Sequence, residues 1–219
     1  MAGMQEYLVP TGYGEAEFVE KRSRFIGRIW LVDTEAEALA ELEKIRQKHW
    51  DATHNVYAYI IHDGPTRFSD DGEPGGTAGM PVLEVLRREG LENVLCIVTR
   101  YFGGILLGAG GLVRAYTKGA KVGVDAAGIS RKRVWQHLDV LCSYRQMERM
   151  KQEIEAQGGQ ILEIEYGADV TIHALLPEQD TAACMERLVD VSNDTVLLFD
   201  GEKEYRAFPV VAPKFAAEE

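Results

Sequence analysis

Apolar and polar positions alternate through two extended runs, about 14–21 and 24–32, with Arg22-Ser23 reading as the turn of a hairpin between them. From Thr34 the period lengthens. Thr34 and Glu37 form a capping box, and Leu39, Leu42 and Ile45 share one helical face. His54 to His62 is rich in β-branched and aromatic residues and reads as a strand stopped by Asp63-Gly64-Pro65. A short helix is expected from about Pro81 to Glu89, closed by Gly90. Val94 to Thr99 is almost continuously apolar, which suits a strand buried on both faces. A helix of about 110–126 follows, with Gly119, Gly123 and Ala126 on the side that permits close packing on a sheet.

Around Gly128–Arg133 the character changes. The pattern then reads β (134–142), α (144–157), β (160–166), β (169–176), α (178–191), β (195–199). Ser143 and Gln146 cap the first of these helices and Gly158-Gly159 end it; Asp200-Gly201 reads as a tight turn into a last strand near Tyr205–Val211. This βαββαβ order is the split-βαβ, ferredoxin-like pattern. The predicted class is α+β, with domains 1–130 and 131–219, no internal repeat and no low-complexity tract.

Composition narrows the partners. The 219 residues carry 24 Lys+Arg against 35 Asp+Glu, a net charge of -11, which opposes indiscriminate coating of nucleic acid and leaves room for a local basic patch. Arg131-Lys132-Arg133 is the compact basic cluster, and the tail ends Glu218-Glu219. Cys96, Cys142 and Cys184 sit among apolar neighbours without CxxC spacing; they read as buried thiols, and a cysteine zinc site is excluded. The first residues lack the basic and apolar regions of a signal peptide, and no apolar run is long enough to span a membrane. The expectation is a cytoplasmic protein without a membrane partner.

Candidate chemistry concentrates in two glycine segments, FSDDGEPGGTAG and RYFGGILLGAGGLVRA. The first forms an acidic wall of Asp70, Asp71, Gly72, Glu73, Gly75, Gly76 and Thr77. Its carboxylates suit either a hard cation or turn capping and pairing with Arg67 or Arg100. Thr77 reads as the N-cap of the following helix. The second segment brings Arg100, Gly103, Gly104, Gly108, Gly110 and Gly111 to the start of a helix bearing Arg114, Lys118 and Lys121 on one stripe. Free N–H groups, the helix dipole and this stripe form an anion seat; the alternative is a solvated amphipathic helix. GILLGAGG lacks the Lys-Ser/Thr ending of a P-loop.

Catalytic candidates are His54, Asp70, Asp71 and Glu73. A Ser69-His54-Asp70 triad lacks the turn that would expose the serine. His49 near a helix end suits a cation, whereas His137 and His173 alternate with apolar residues and read as exposed; no histidine has metal-ligand spacing. Tyr101 and Phe102 read as an edge cover and a core residue, with base stacking as the other use.

Arg100-Tyr101-Phe102-Gly103-Gly104, Leu107-Gly108, the loop from Ser69 to Gly79, and Thr53-His54-Asn55 with Tyr57 resemble the signatures of the YigZ/IMPACT family over most of residues 15–130. The resemblance implies an N-terminal fold like the second domain of a small-subunit ribosomal protein, shared with homoserine and mevalonate kinases, although their G-L-x-S-S run is absent. It also implies a C-terminal module similar to the last domain of elongation factor G, added in bacterial members. Eukaryotic relatives restrain a starvation-activated translation-initiation kinase by competing for its activator. The leading expectation is a non-enzymatic, translation-associated protein holding an anionic partner: ribosome, RNA or nucleotide. A metal-assisted enzyme acting on a phosphorylated small molecule and a protein–protein adaptor are the alternatives, and no cofactor is assigned.

Overall fold

The computed structural model describes residues 6–213, so the Glu218-Glu219 tail lies outside the described residues. Two units emerge: Tyr7–Lys132 with the chain from Ala207, and Arg133–Arg206 with Glu6. The N-terminal unit contains β1 (Tyr7–Pro10), β2 (Gly14–Glu20), β3 (Ser23–Leu31), α1 (Glu35–Lys48), β4 (His54–Ile60), β5 (Thr66–Ser69), α2 (Gly79–Arg88), β6 (Val94–Tyr101) and α3 (Ala109–Ala127). Strand β7 (Ile129–Cys142) follows, its first residues pairing antiparallel with β1.

The main sheet of this unit is antiparallel, in the order β2-β3-β6-β4-β5. Strand β6 is central and covered on both faces, which is why its apolar run does not alternate. Val94, Cys96 and Val98 pack with α2 and α3, while Leu95 and Ile97 pack with Leu42 and Ile45 of α1. Helix α3 approaches the sheet closely at Gly27 and Gly119. A Cβ on Gly27 would stand 1.9 Å from the Gly119 carbonyl oxygen.

Local signals account for most boundaries. The β2–β3 turn falls on Lys21-Arg22, one residue earlier than expected, with φ of 45° and 64°. Thr34 accepts the Glu37 N–H at 3.2 Å, and the Glu37 carboxylate accepts the Asp33 N–H at 2.8 Å. Leu39 is exposed, contrary to its expected place on the buried face. The face is Ala38, Leu42 and Ile45, a stripe spaced i, i+4, i+7 that leaves Leu39 rotated toward solvent.

The C-terminal unit continues β7 through α4 (Met147–Ala156), β8 (Gln160–Tyr166), β9 (Val170–Pro177), α5 (Glu178–Ser192) and β10 (Leu197–Val211) as far as Arg206. Strands β8 and β7 flank β9 and run antiparallel to it, with β10 on β7, the ferredoxin-like arrangement. Its core joins Leu138, Val140 and Ile172 to Met150, Ile154, Cys184 and Leu188. The expected Asp200-Gly201 turn is absent: β10 runs through it unbroken. Gly201 serves close approach instead, since a Cβ there would meet the His137 Cβ at 2.9 Å.

All three cysteines are buried and free. Burial pushes their thiols up, Cys184 to about 11. Among the described residues no helix is long and apolar enough to cross a membrane.

Candidate functional site

Strand register builds the centre of the site. Phe25 of β3 and His54 of β4 both stand opposite Arg100 of β6, so the three form a row across the end of the sheet. The Arg100 side chain is only 6 % exposed, and its Nη1 donates to Glu73 Oε1 at 2.5 Å. Phe25 and Phe102 lie against its guanidinium, with ring centroids 5.5 and 5.4 Å away. Nη2 reaches Ser23 Oγ at a long 3.5 Å. Arg100 Nε is buried without a hydrogen-bond partner among the described residues. The buried Tyr116 hydroxyl donates to the same Glu73 oxygen at 2.7 Å; burial, then this bond, pushes its pKa up.

The acidic loop spreads its three carboxylates over separate tasks. Glu73 holds Arg100 and Tyr116. Asp71 Oδ2 accepts the Asn55 N–H at 2.6 Å, and Arg46 stands 3.6 Å from Oδ1. Asp70 accepts the N–H groups of Gly76, Ala78 and Gly79 at 2.9, 3.0 and 2.8 Å. The Asp70 bonds correct the assignment of Thr77 as helix cap. Thr77 Oγ1 donates back to the Pro74 carbonyl, the N-cap position is Ala78, and Asp70 caps α2 from across the loop. A carboxylate so placed also suits the positive end of the helix.

His54 Nδ1 lies 2.7 Å from the Asp71 carbonyl oxygen. A carbonyl only accepts, so Nδ1 carries the proton and Nε2 is left 3.7 Å from Glu73 Oε1. Ser69 Oγ accepts the Asp71 N–H, and Asp70 is engaged in capping, so the Ser69-His54-Asp70 triad is not assembled.

The two glycine segments enclose one cleft of about 390 Å³. The acidic loop contributes Gly72, Glu73 and Pro74; the second segment contributes Phe102, Leu106, Gly108 and Ala109; His54 and Arg100 complete it. Phe102 is 44 % exposed, against the expectation of a core residue, because β6 ends just before it. Gly103 donates its N–H to Ser23 Oγ at 3.2 Å. Gly104 and Gly108 take positive φ, as do Gly72 and Gly76, and Gly75 has open space around its Cα.

A second, smaller pocket of about 170 Å³ lies along the first turns of α3, lined by Lys21, Gly111, Arg114 and Lys118, with Glu20 at its wall. Gly110 lies close by, its Cβ position 3.8 Å from an Arg114 terminal nitrogen. Lys118 Nζ sits 4.3 Å from the Phe18 ring centroid. Lys121 belongs to the same helical stripe but is engaged by Glu89 at 2.7 Å and Asp125 at 3.1 Å. The structure therefore groups Arg114 with Lys118, and Lys21 joins them from the β2–β3 turn.

The α1 face of the sheet holds a network that the sequence pattern did not single out. Arg28, 1 % exposed, donates to Glu15 at 2.5 Å, Thr99 at 2.9 Å and His49 Nε2 at 2.8 Å. His49 Nδ1 then donates to the Tyr101 hydroxyl at 2.8 Å, and Tyr101 to Asp51 at 3.2 Å. This corrects the reading of His49 as a helix-end cation: burial and the adjacent Arg28 and Lys48 hold its pKa below the ordinary value. An arginine in a predicted strand carries no local mark of burial; its register opposite Ile97 was the missing information.

His137 and His173 are half-buried rather than exposed. They pair with Glu204 at 2.9 Å and Asp139 at 2.7 Å, and the Asp139 bond raises the His173 pKa. Among the described residues no group of three or more His, Cys, Asp or Glu could hold a metal ion. Arg67 stands 3.6 Å from Glu35, away from the acidic loop.

Fold and site together define a two-unit α+β protein: a glycine-walled cleft built over a buried arginine–glutamate pair, followed by a ferredoxin-like unit. Residues 21–124 match the Impact N-terminal domain, and residues 140–195 match a domain of unknown function, DUF1949. IMPACT family member YvyE of Bacillus subtilis is 37% identical over 204 residues, covering 92% of this chain and 94% of that protein. IMPACT family member YigZ of Escherichia coli is 33% identical over 199 residues, 89% and 98% of the two chains. A solved structure described as an hypothetical protein superposes with a TM-score of 0.57 at 33% identity, over 91% of this chain and 98% of that one. The chain belongs to the IMPACT family.

Proposed function

We propose that this protein is a translation-associated regulatory protein whose N-terminal unit holds an anionic partner, an RNA segment or a nucleotide, along the first turns of α3. One observation carries the reading: Lys21, Arg114 and Lys118 converge on one pocket, and none pairs with a carboxylate among the described residues. In a chain of net charge -11, where Arg24, Arg28, Arg46, Arg100, Lys121 and Lys132 all meet carboxylates, such a group is conspicuous. Phosphate contacts from unpaired lysine and arginine release counterions and supply affinity. Arg100 contributes no net charge, because Glu73 compensates it. The translation-associated part rests on family membership, through the eukaryotic relatives that the sequence resemblance implies.

The test replaces both α3 cations by alanine, Arg114→Ala with Lys118→Ala, and measures binding to ribosomes and to single-stranded RNA across a salt series. Affinity at low salt should fall, and the magnitude of the salt slope should drop by roughly 1.4 for two lost phosphate contacts. Unchanged affinity at low salt overturns the reading. Protein capture that survives nuclease and high salt would favour an adaptor instead.

A further inference from the structure

The cleft between the glycine segments differs in its chemistry from the outer cation pocket. Glu73, whose side chain is 3 % exposed, is one of its walls. Three contacts crowd a single oxygen of this carboxylate: Oε1 accepts from Arg100 at 2.5 Å and from Tyr116 at 2.7 Å, and His54 Nε2 stands 3.7 Å away. The other oxygen, Oε2, accepts nothing among the described residues and is not among the buried atoms shut off from solvent. Because Glu73 lines the cleft, Oε2 is reached from there. His54 lines the cleft too, and its Nε2 presents a lone pair, since Nδ1 gives its proton to the Asp71 carbonyl. The cleft therefore holds two neighbouring acceptors, a deeply placed carboxylate oxygen and an imidazole nitrogen.

Charge decides what they accept from. Arg100 neutralises Glu73, and the start of α3, where Gly108 and Ala109 line the cleft, adds partial positive charge. That helix end opposes a cation, and the two acceptors oppose an anion. A neutral group with two adjacent N–H donors satisfies both. The exposed side chains of Phe102 and Leu106 stand with Pro74 at a cleft of about 390 Å³, which suits a small planar molecule. Leu107 lines both this cleft and the pocket of Lys21, Arg114 and Lys118, so the two lie beside one another. Among the RNA bases only guanine carries two donor nitrogens side by side, N1–H and the N2 amino group. Adenine and cytosine set a ring acceptor beside their amino group, and uracil has one N–H between two carbonyls. Resting on the anion-binding reading above, we infer that the cleft is a guanine pocket. The base edge donates to Glu73 Oε2 and His54 Nε2, the ring stacks on Phe102, and the phosphate lies toward the α3 cations.

Calorimetric titration of the full chain with GMP, IMP and AMP tests this, with ¹⁵N spectra to place the ligand. GMP should bind most tightly and shift the Gly72 and Ala109 amides. IMP lacks the N2 amino group and should bind about tenfold more weakly; AMP, whose N1 would turn a lone pair on the carboxylate, should lose at least as much. Phe102→Ala changes a half-exposed side chain and should weaken GMP roughly tenfold. Absence of GMP binding or equal affinity for the three nucleotides overturns the inference, as does GMP affinity unchanged in Phe102→Ala. In Arg114→Ala with Lys118→Ala all three nucleotides should weaken together, while guanosine, without a phosphate, binds as before. Guanosine selected over adenosine, with neither nucleotides nor RNA responding to that double substitution, would overturn the anion reading alone. The pentamers UUGUU and UUAUU separate the sources of the base. Preference for UUGUU assigns it to an RNA strand; equal binding of the two, with GMP still selected over AMP, assigns it to a free nucleotide.

Discussion

Two buried arginines on opposite faces of one sheet, Arg28 and Arg100, show how similar burial serves different ends. Arg28 is closed: Glu15, Thr99 and His49 take donors from both ends of its guanidinium, and the chain of bonds continues through Tyr101 to Asp51. Arg100 is open: Glu73 takes one terminal nitrogen, Ser23 is distant, and Nε has no acceptor among the described residues. The closed network lies on the α1 face of the sheet, with Arg28 and Thr99 buried and Glu15 and Asp51 at its exposed ends. The open one ends at a cleft. A satisfied polar cluster specifies a fold, whereas a buried group left without a partner costs stability.

The largest expected effect comes from breaking the open pair. Glu73→Ala strands Arg100 in a site where both side chains are almost fully buried, and chemical denaturation should show a loss of about 3–5 kcal/mol. A loss under 1 kcal/mol would mean that water or solvent ions reach Arg100 easily, and the contrast between the networks would collapse. Arg28→Met should cost less, about 1–3 kcal/mol, since methionine fills part of the space and the abandoned Glu15 is 40 % exposed and can rehydrate. If this substitution proves the costlier of the two, the closed network is the more strongly coupled one.

The smallest effect is a pH dependence. Because the folded-state pKa of His49 is depressed, its contribution is intact above the ordinary histidine value. As pH falls below that value the unfolded chain takes up a proton that the folded one refuses, and stability declines until the folded pKa is passed. Subtracting the profile of His49→Gln from that of the parent should isolate this acid-side decline. His173 in the C-terminal unit has a raised pKa, so its contribution is present at low pH and fades as pH rises through the folded value. Identical profiles for parent and His49→Gln would show that Arg28 does not need a neutral imidazole.

Much of the candidate site was legible in its parts. The glycines of the second segment, the helix bearing Arg114 and Lys118, and the acidic loop all carry local signals. The pairing of Glu73 with Arg100 was an open option because 27 residues separate them. The capping of α2 by Asp70 was missed because the cap sits nine residues before Gly79, beyond the short spacing that capping motifs use. Lys21 was invisible as a site residue, since nothing in the hairpin turn announces that it meets α3.

The amino-acid pattern by itself determined the helices and most strands, though not β1, β5 or the unbroken β10, together with the ferredoxin-like order of the C-terminal half and the family. Those depend on burial period, caps and turn residues, which act over a few positions. Only the tertiary structure decided which charges are spent and which remain. It neutralised Arg100 with Glu73, tied Lys121 to Glu89, left Arg114 and Lys118 with Lys21, and kept Arg28 out of water. Ion pairing follows distance through space, and that distance is set by strand register and helix placement rather than by neighbours along the chain.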